Sequence, residues 1–272
     1  MFRAVIWGAR GSIPVSSPAR CRYGTNTPCV ELDLGGGDRL AIDAGTGIAA
    51  LGESLAASGQ LATTHRVLLS HFHWDHVHGL PFHPGLFDRQ ASFHLYGLPA
   101  VANVLSGQFL PPFSPLTPGA IVAREVKYEE VRGPFDAGGF RVRPFPLNHP
   151  QGALGYRIEA HGAAVVYATD CEPDFGPLDA RLIEAAAGSD LLLMDSTFSP
   201  EEASGRVGWG HSSWADCVRI AKAAGVRRLV LFHHDPMHDD DVLDRKEAWV
   251  RERFPAVQCA REGMVFEVEE RE

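Results

Sequence analysis

The sequence predicts an α/β (α+β) fold, and three observations predict it. Apolar runs of strand length are interleaved with segments of helical character. A histidine cluster follows directly on one such run, His65 to Ser70, and the C-terminal ends of strands are where open α/β sheets keep their sites. The chain has 272 residues, enough for one large α/β domain or two small ones.

The elements read in order as follows. Phe2 to Gly8 is a strand, followed by a glycine-punctuated turn and a long loop over residues 15 to 28. Cys29 to Leu34 and Arg39 to Asp43 are strands joined by Gly35-Gly36-Gly37-Asp38, a hairpin signal. Asp43-Ala44-Gly45-Thr46-Gly47 turns sharply into a helix over Ile48 to Ser58. After the His65–Ser70 strand and the cluster come one tight or helical turn at 77–81 and a polar and aromatic loop from Pro81 to Gln90. A strand at Ser92 to Tyr96 and a helix at Pro99 to Ser106 follow. The stretch from Gln108 to Pro118 is too rich in proline for regular structure and reads either as a loop over the site rim or as a packed structural loop. Further strands are expected at Ile121–Lys127, Val131–Phe135 and Phe140–Pro146. A hairpin covers 154–159 and 163–170, and a helix 178–187. Asp190–Asp195 is a buried strand, and a helix carries Trp214, Val218 and Ala221 on one face, capped by Ser212 or Ser213. The strand before His233, a helix over Asp241 to Phe254 and a strand over Met264 to Val268 close the chain.

Composition excludes several classes. Hydrophobic residues make up 45% and charged residues 22%, ordinary for a globular chain. The net charge of −9 is not the footprint of a general nucleic-acid binder. It leaves room for a small anionic substrate, because bound dications reverse the field locally. Cys21, Cys29, Cys171, Cys217 and Cys259 are odd in number and form no C-x-x-C, so a reducing cytoplasm is expected. The N-terminus reads as a strand and not as a signal peptide, and no apolar run reaches the roughly 18 residues of a membrane span. A homo-oligomer is left open.

The chemistry sits in His71-Phe72-His73-Trp74-Asp75-His76. His71 and His73 project to one side of an extended chain, while Asp75 and His76 need a turn that folds them back over the same space. Imidazole and carboxylate without thiolate suit zinc, manganese or iron. Four such groups in six residues could serve two adjacent ions. Asp170 ends an apolar run, and a buried carboxylate there is costly unless paired or metal-bound. His233 and His234 end a strand and point to opposite sides while the chain stays extended, so only one is expected to be a ligand.

The H-x-H-x-D-H spacing resembles the metallo-β-lactamase-fold hydrolases, and within them the branch of ribonuclease Z and the cyclic-phosphate phosphodiesterases. The resemblance runs from Trp7 to the final helix and includes Asn148-His149-Pro150, Asp170, Gly208-Trp209-Gly210-His211-Ser212 and His233-His234-Asp235-Pro236. It implies a four-layer αββα sandwich, taken as one domain over 1–272 with halves of about 1–150 and 151–272. It implies two divalent ions, zinc or manganese. His71, His73 and His149 would hold one, Asp75, His76 and His233 the other, and Asp170 would bridge them. Asp75 and His211 would be catalytic, with His211 protonating the leaving oxygen; a plain helix-capping role is the alternative for His211. Asp43 would lie behind a ligand histidine, or else simply cap a helix. Asp195 would also stand behind the ligands, and His234 would face substrate or a buried acid.

Such a centre lowers the pKa of a bridging water towards about 7, giving a hydroxide able to attack phosphorus. The expectation is a phosphodiesterase for a small cyclic or nucleotide phosphate. A ribonuclease Z-like RNA 3′-processing endonuclease is the runner-up, although no glycine- and lysine-rich arm is evident. A non-phosphate ester hydrolase and a non-catalytic metal-binding protein remain. His73 separates the chain from flavodiiron relatives, which usually have a carboxylate there. Arg10, Ser12, Asn26, Arg157 and Arg206 could contact phosphate or serve only the surface.

Overall fold

The computed structural model describes residues 1–108, 114 and 118–269. Six strands come first: β1 (Phe2–Gly8), β2 (Cys29–Asp33), β3 (Arg39–Ile42), β4 (Thr64–Leu68), β5 (Ser92–Gly97) and β6 (Glu125–Glu130). Eight follow: β7 (Phe135–Ala137), β8 (Phe140–Leu147), β9 (Ala153–Ala160), β10 (Ala163–Ala168), β11 (Leu191–Asp195), β12 (Leu229–Phe232), β13 (Val257–Cys259) and β14 (Val265–Val268). They form two seven-stranded sheets, in the orders β14-β1-β2-β3-β4-β5-β6 and β13-β12-β11-β10-β9-β8-β7. The chain crosses between sheets after β6, and β14 returns to the first.

Helices cover both outer faces. On the first sheet lie α1 (Gly47–Ala57), α2 (Trp74–Val77) and α3 (Val101–Gly107), with Ile48, Leu51, Val77, Val101 and Leu105 buried against Val67, Phe93 and Leu95. The second sheet carries α4 (Pro177–Ala186), α6 (Trp214–Ala224) and α7 (Asp240–Arg251), which bury Leu182, Ile220 and Leu243 against Val166, Leu192 and Leu231. A short α5 (Pro200–Ala203) lies between α4 and α6 in sequence. Between the sheets, Ile6, Leu32, Ile42 and Leu68 meet Val142, Ile158, Val165 and Leu193. This is the αββα sandwich of the metallo-β-lactamase fold. Strands covered on both faces read as unbroken apolar runs, as β10 (AAVVYA) and β11 (LLLMD) do. The edge strand β6 (EVKYEE) is charged and largely exposed, which discourages further pairing.

Two expectations are corrected. Residues 121–124 are not strand: Val122 and Ala123 donate to the Leu86 carbonyl and Arg124 to that of Ala91, so β6 begins only at Glu125. Val131–Phe135 is not a strand either; Gly133 and Pro134 interrupt it, and β7 starts at Phe135. The three-residue β13 gives too short a pattern to be read in advance. Ser213, not Ser212, caps α6, accepting from Asp216 N in a reciprocal capping box. Most of the proline-rich Gln108–Pro118 stretch lies outside the described residues. No described helix is long and apolar enough to cross a membrane.

Topology positions the site. β3 to β6 run parallel in the first sheet and β10 to β13 in the second. In register, Ile42 lies opposite Leu68, Ala168 opposite Met194, and Asp195 opposite Phe232. The residues that follow these strand ends therefore emerge along one rim of the sandwich.

Candidate metal centre

Three rim residues leave their strands with left-handed backbone: Asp43 (φ 61°), Asp170 (φ 55°) and His233 (φ 55°). That conformation costs an L-residue roughly 1–2 kcal/mol. Three instances at one rim mark loops held by their surroundings against local preference.

The side chains converge on Asp170. On one side His71 Nε2 and His149 Nε2 lie 3.5 and 3.6 Å from Asp170 Oδ2, and His73 Nδ1 is 3.0 Å from His149 Nε2. On the other side His76 Nε2 and His233 Nε2 lie 3.3 and 3.1 Å from Asp170 Oδ1. These same two nitrogens lie 3.3 and 3.1 Å from Asp75 Oδ2. Each oxygen of one buried carboxylate thus faces its own donor set. His71 Nε2 and His76 Nε2 are buried with no hydrogen-bond partner. Buried polar atoms are rarely left so, and a divalent cation in each set is the partner that would satisfy them. The residues present fit two ions.

Behind each ring, the other nitrogen is held. His71 Nδ1 meets Ser70 Oγ at 3.0 Å, and Ser70 Oγ donates to Asp43 Oδ2 at 2.9 Å. His76 Nδ1 donates to Asp43 Oδ2 at 2.8 Å, and Tyr167 OH donates to the same oxygen at 2.7 Å. His149 Nδ1 donates to the Gly210 carbonyl at 2.9 Å, His73 Nε2 to Gln151 Oε1 at 2.7 Å, and His233 Nδ1 to Thr197 Oγ1 at 3.1 Å. Each ring is thereby left with a lone pair towards the centre, the arrangement that orients histidine ligands. Asp75 Oδ2 also accepts from Ser12 N at 2.7 Å.

The field differs across the centre. Burial, with neighbouring His76, holds His71 well below its ordinary pKa, and burial likewise lowers His149. Burial opposes charge on His76 too, but Asp75, Asp170 and Asp43 outweigh it and raise its pKa well above the usual value. Burial would raise Asp75 and Asp170, yet the surrounding histidines hold both carboxyls below their ordinary range.

His211 stands beside the second set. Its ring stacks on His233 with centroids 5.0 Å apart, and His233 in turn stacks on His76 at 5.4 Å. His211 Nδ1 donates to Asp195 Oδ2 at 2.9 Å. Burial lowers its pKa, but Asp195 dominates in sum and brings it to about 9. Asp195 is itself fixed by Cys171 N, Thr197 N and Thr197 Oγ1. Two glycines let backbone close on the rings. A Cβ at Gly11 would lie 2.4 Å from His233 Cε1, and one at Gly210 would lie 2.2 Å from His149 Nδ1. Gly210 also has φ 84°.

Every expected ligand therefore lies at this rim, and Asp43 and Asp195 lie behind it. His234 does not face substrate or an acid. The left-handed turn at His233 sends it inward, where Nε2 donates to the Ala260 carbonyl at 2.9 Å and Nδ1 accepts from Lys246 Nζ at 3.1 Å. Arg10 is buried, donating to the Gly24 and His238 carbonyls and pairing with Asp240, so it cannot meet a phosphate. Arg157 is tied to Glu159 and to the carbonyls of Ala185 and Ala187. Ser12 is committed through its backbone to Asp75, and both the amide and the carbonyl of Asn26 bond within the fold. Arg206 stacks on Phe198, whose ring meets His211 edge-on, so it and Ser12 are the two of the five that stand by the centre.

Sequence reasoning missed Ser70, Gln151, Tyr167 and Thr197. Ser70 adjoins His71, and Thr197 lies two residues from Asp195. Tyr167 alternates with core residues along β10 and carries no separate signal.

Known proteins resemble this chain in sequence and in fold. Ribonuclease Z from Myxococcus xanthus is 26% identical over 289 aligned positions, covering 85% of this chain and 89% of that protein. The metallo-β-lactamase-fold protein YhfI from Bacillus subtilis superposes with a TM-score of 0.73 at 21% identity, covering 98% of this chain and 100% of that one. A diphosphatase of the PhnP family superposes with a TM-score of 0.70 at 20% identity, covering 99% of each chain. Residues 38–234 match the family model described as the beta-lactamase superfamily domain, and the chain, with its His/Asp cluster at the rim of an αββα sandwich, belongs to that family.

Proposed function

We propose that this chain is a dinuclear metal-dependent phosphodiesterase acting on a small cyclic or nucleotide phosphate. The observation that carries the reading is Asp170, whose two oxygens face two separate donor sets. His71, His73 and His149 would hold one ion and Asp75, His76 and His233 the other, with Asp170 shared. Imidazole and carboxylate donors without thiolate favour zinc or manganese. Divalent ions supply Lewis acidity towards a phosphoryl oxygen and bring the pKa of water towards neutrality.

The chain's own residues supply the rest. His211, charged at neutral pH and tied at Nδ1 by Asp195, presents its Nε2 proton to the leaving oxygen. Asp75, anchored by Ser12 N, is placed to orient the attacking water. The fold acts as one domain, and the five free cysteines favour a reducing, cytoplasmic setting. A net charge of −9 favours a small substrate over RNA. Similarity to ribonuclease Z favours a second reading, RNA 3′ processing.

The test is hydrolysis of bis-p-nitrophenyl phosphate after chelation and return of zinc or manganese. Metal-dependent turnover that vanishes in Asp170→Asn is expected. Absence of turnover with either metal, in protein that binds two ions, would overturn the reading. Cleavage of a pre-tRNA at its 3′ side would select the second one.

A further inference from the structure

Beside the centre runs a groove of about 760 Å³ walled by Ile13, Phe72, Trp74, Val77, Phe82 and Val104. It adjoins the second donor set at Ser12. Ser12, on its wall, donates its backbone N–H to Asp75, and Phe72 and Trp74 are chain neighbours of His71, His73 and Asp75. Trp74 is 67% exposed, Phe82 68% and Ile13 57%. Three large apolar side chains left open around one groove mark a binding surface. Among the described residues, its lining holds one imidazole, His78, and no lysine, arginine, aspartate or glutamate. A polyanionic backbone would need more cations than that, so an uncharged occupant fits the groove better. Gln108 donates through Nε2 to the Val77 carbonyl at 3.0 Å, which ties the end of α3 to the α2 wall of the groove.

We propose that this groove takes the uncharged, planar aromatic end of the substrate, such as a nucleobase, stacked on Trp74 and Phe82 while the phosphate lies over Asp170. The proposal rests on the phosphodiesterase reading and deepens it.

The experiment compares kcat/KM for thymidine 5′-(p-nitrophenyl phosphate) and methyl p-nitrophenyl phosphate. Wild-type protein is expected to prefer the thymidine ester. Trp74→Ala, and independently Phe82→Ala away from the ligands, should shrink that preference roughly 5- to 100-fold, through KM for the thymidine ester. A wild-type enzyme that hydrolyses both esters without preference would overturn the groove assignment and leave the reaction class standing. If neither ester is hydrolysed, the reaction class fails, and tryptophan fluorescence judges the groove alone. Saturable quenching by thymidine that is lost in Trp74→Ala supports it; no quenching overturns it. A preference unchanged in both variants, with a dimer that dissociates in Trp74→Ala by sedimentation, would give the groove to a second copy of the chain.

Discussion

The two donor sets share one carboxylate yet are built differently. The first, His71, His73 and His149, is supported by neutral groups: a serine hydroxyl, a glutamine amide and a backbone carbonyl. His73 is half-buried, and its Gln151 partner comes from an exposed turn with φ 62°. The second, Asp75, His76 and His233, is buried throughout, and Asp43 stands directly behind His76. Its loops are also clamped from the rear. Lys246 Nζ, fully buried on α7, donates to Ser196 O at 2.8 Å, Ser196 Oγ at 3.2 Å and His234 Nδ1 at 3.1 Å. The difference teaches that one side is fully buried and backed by a carboxylate, while the other is backed by neutral groups and open at His73. The second set is therefore expected to fill at the lower metal concentration.

The largest effect should come from removing what the sets share. Asp170→Asn takes the carboxylate from both, and turnover should fall by about 10³-fold or more. Bound metal, measured by mass spectrometry after dialysis, should drop from two ions to one or none. Retention of both ions with activity intact would dissolve the comparison, since the sets would not depend on their common ligand.

Next comes the carboxylate behind one set only. Asp43 bonds His76 directly but reaches His71 only through Ser70. Asp43→Asn should weaken metal binding at the second set by about 10- to 100-fold and the first set less. Competition with a chromophoric chelator resolves the two constants. Equal losses at both sites would show that Ser70 transmits the carboxylate's influence undiminished.

Lys246→Met tests the rear clamp. It leaves His234 Nδ1 without its buried donor, at a cost of about 1–3 kcal/mol in unfolding free energy. Denaturant titration of the chelated protein reads that cost, and the affinity of the second set should weaken in parallel. Unchanged stability would mean that the β11 and β12 loops hold themselves.

What was legible in the sequence follows the same division. The H-x-H-x-D-H run shows its chemistry because its ligands are contiguous, and Asp170 shows because a carboxylate ends an apolar strand. Asp43 and His211 show through glycine-rich turns whose spacing resembles a known family. Lys246 does not show, because it sits among Asp244, Arg245 and Glu247, where it reads as part of a solvated helix face, although the packing buries it. His234 was placed wrongly because the left-handed turn at His233 carries it into the interior, where the Ala260 carbonyl and Lys246 take its two nitrogens. The sandwich itself was legible from motif order, whereas strand limits near residues 121–135 were not, since pairing with Leu86 and Ala91 depends on contacts distant in sequence.

The smallest effect belongs to the open side. Gln151 Oε1 accepts from His73 Nε2 at 2.7 Å and thereby turns Nδ1 towards His149. The bond is exposed, so water can replace the amide in Gln151→Ala at little cost. Metal affinity at the first set should fall less than about 10-fold, at or below the weak end of what outer partners contribute. The second set should keep its constant, because Gln151 bonds none of its residues. Chelator competition on this variant, set beside Asp43→Asn, gives the comparison its sharpest form: two partners, each behind one histidine, differing in burial and charge. If Gln151→Ala proved as damaging as Asp43→Asn, the open side would be as preorganised as the buried one, and the order in which the sets fill would have to come from their ligands alone.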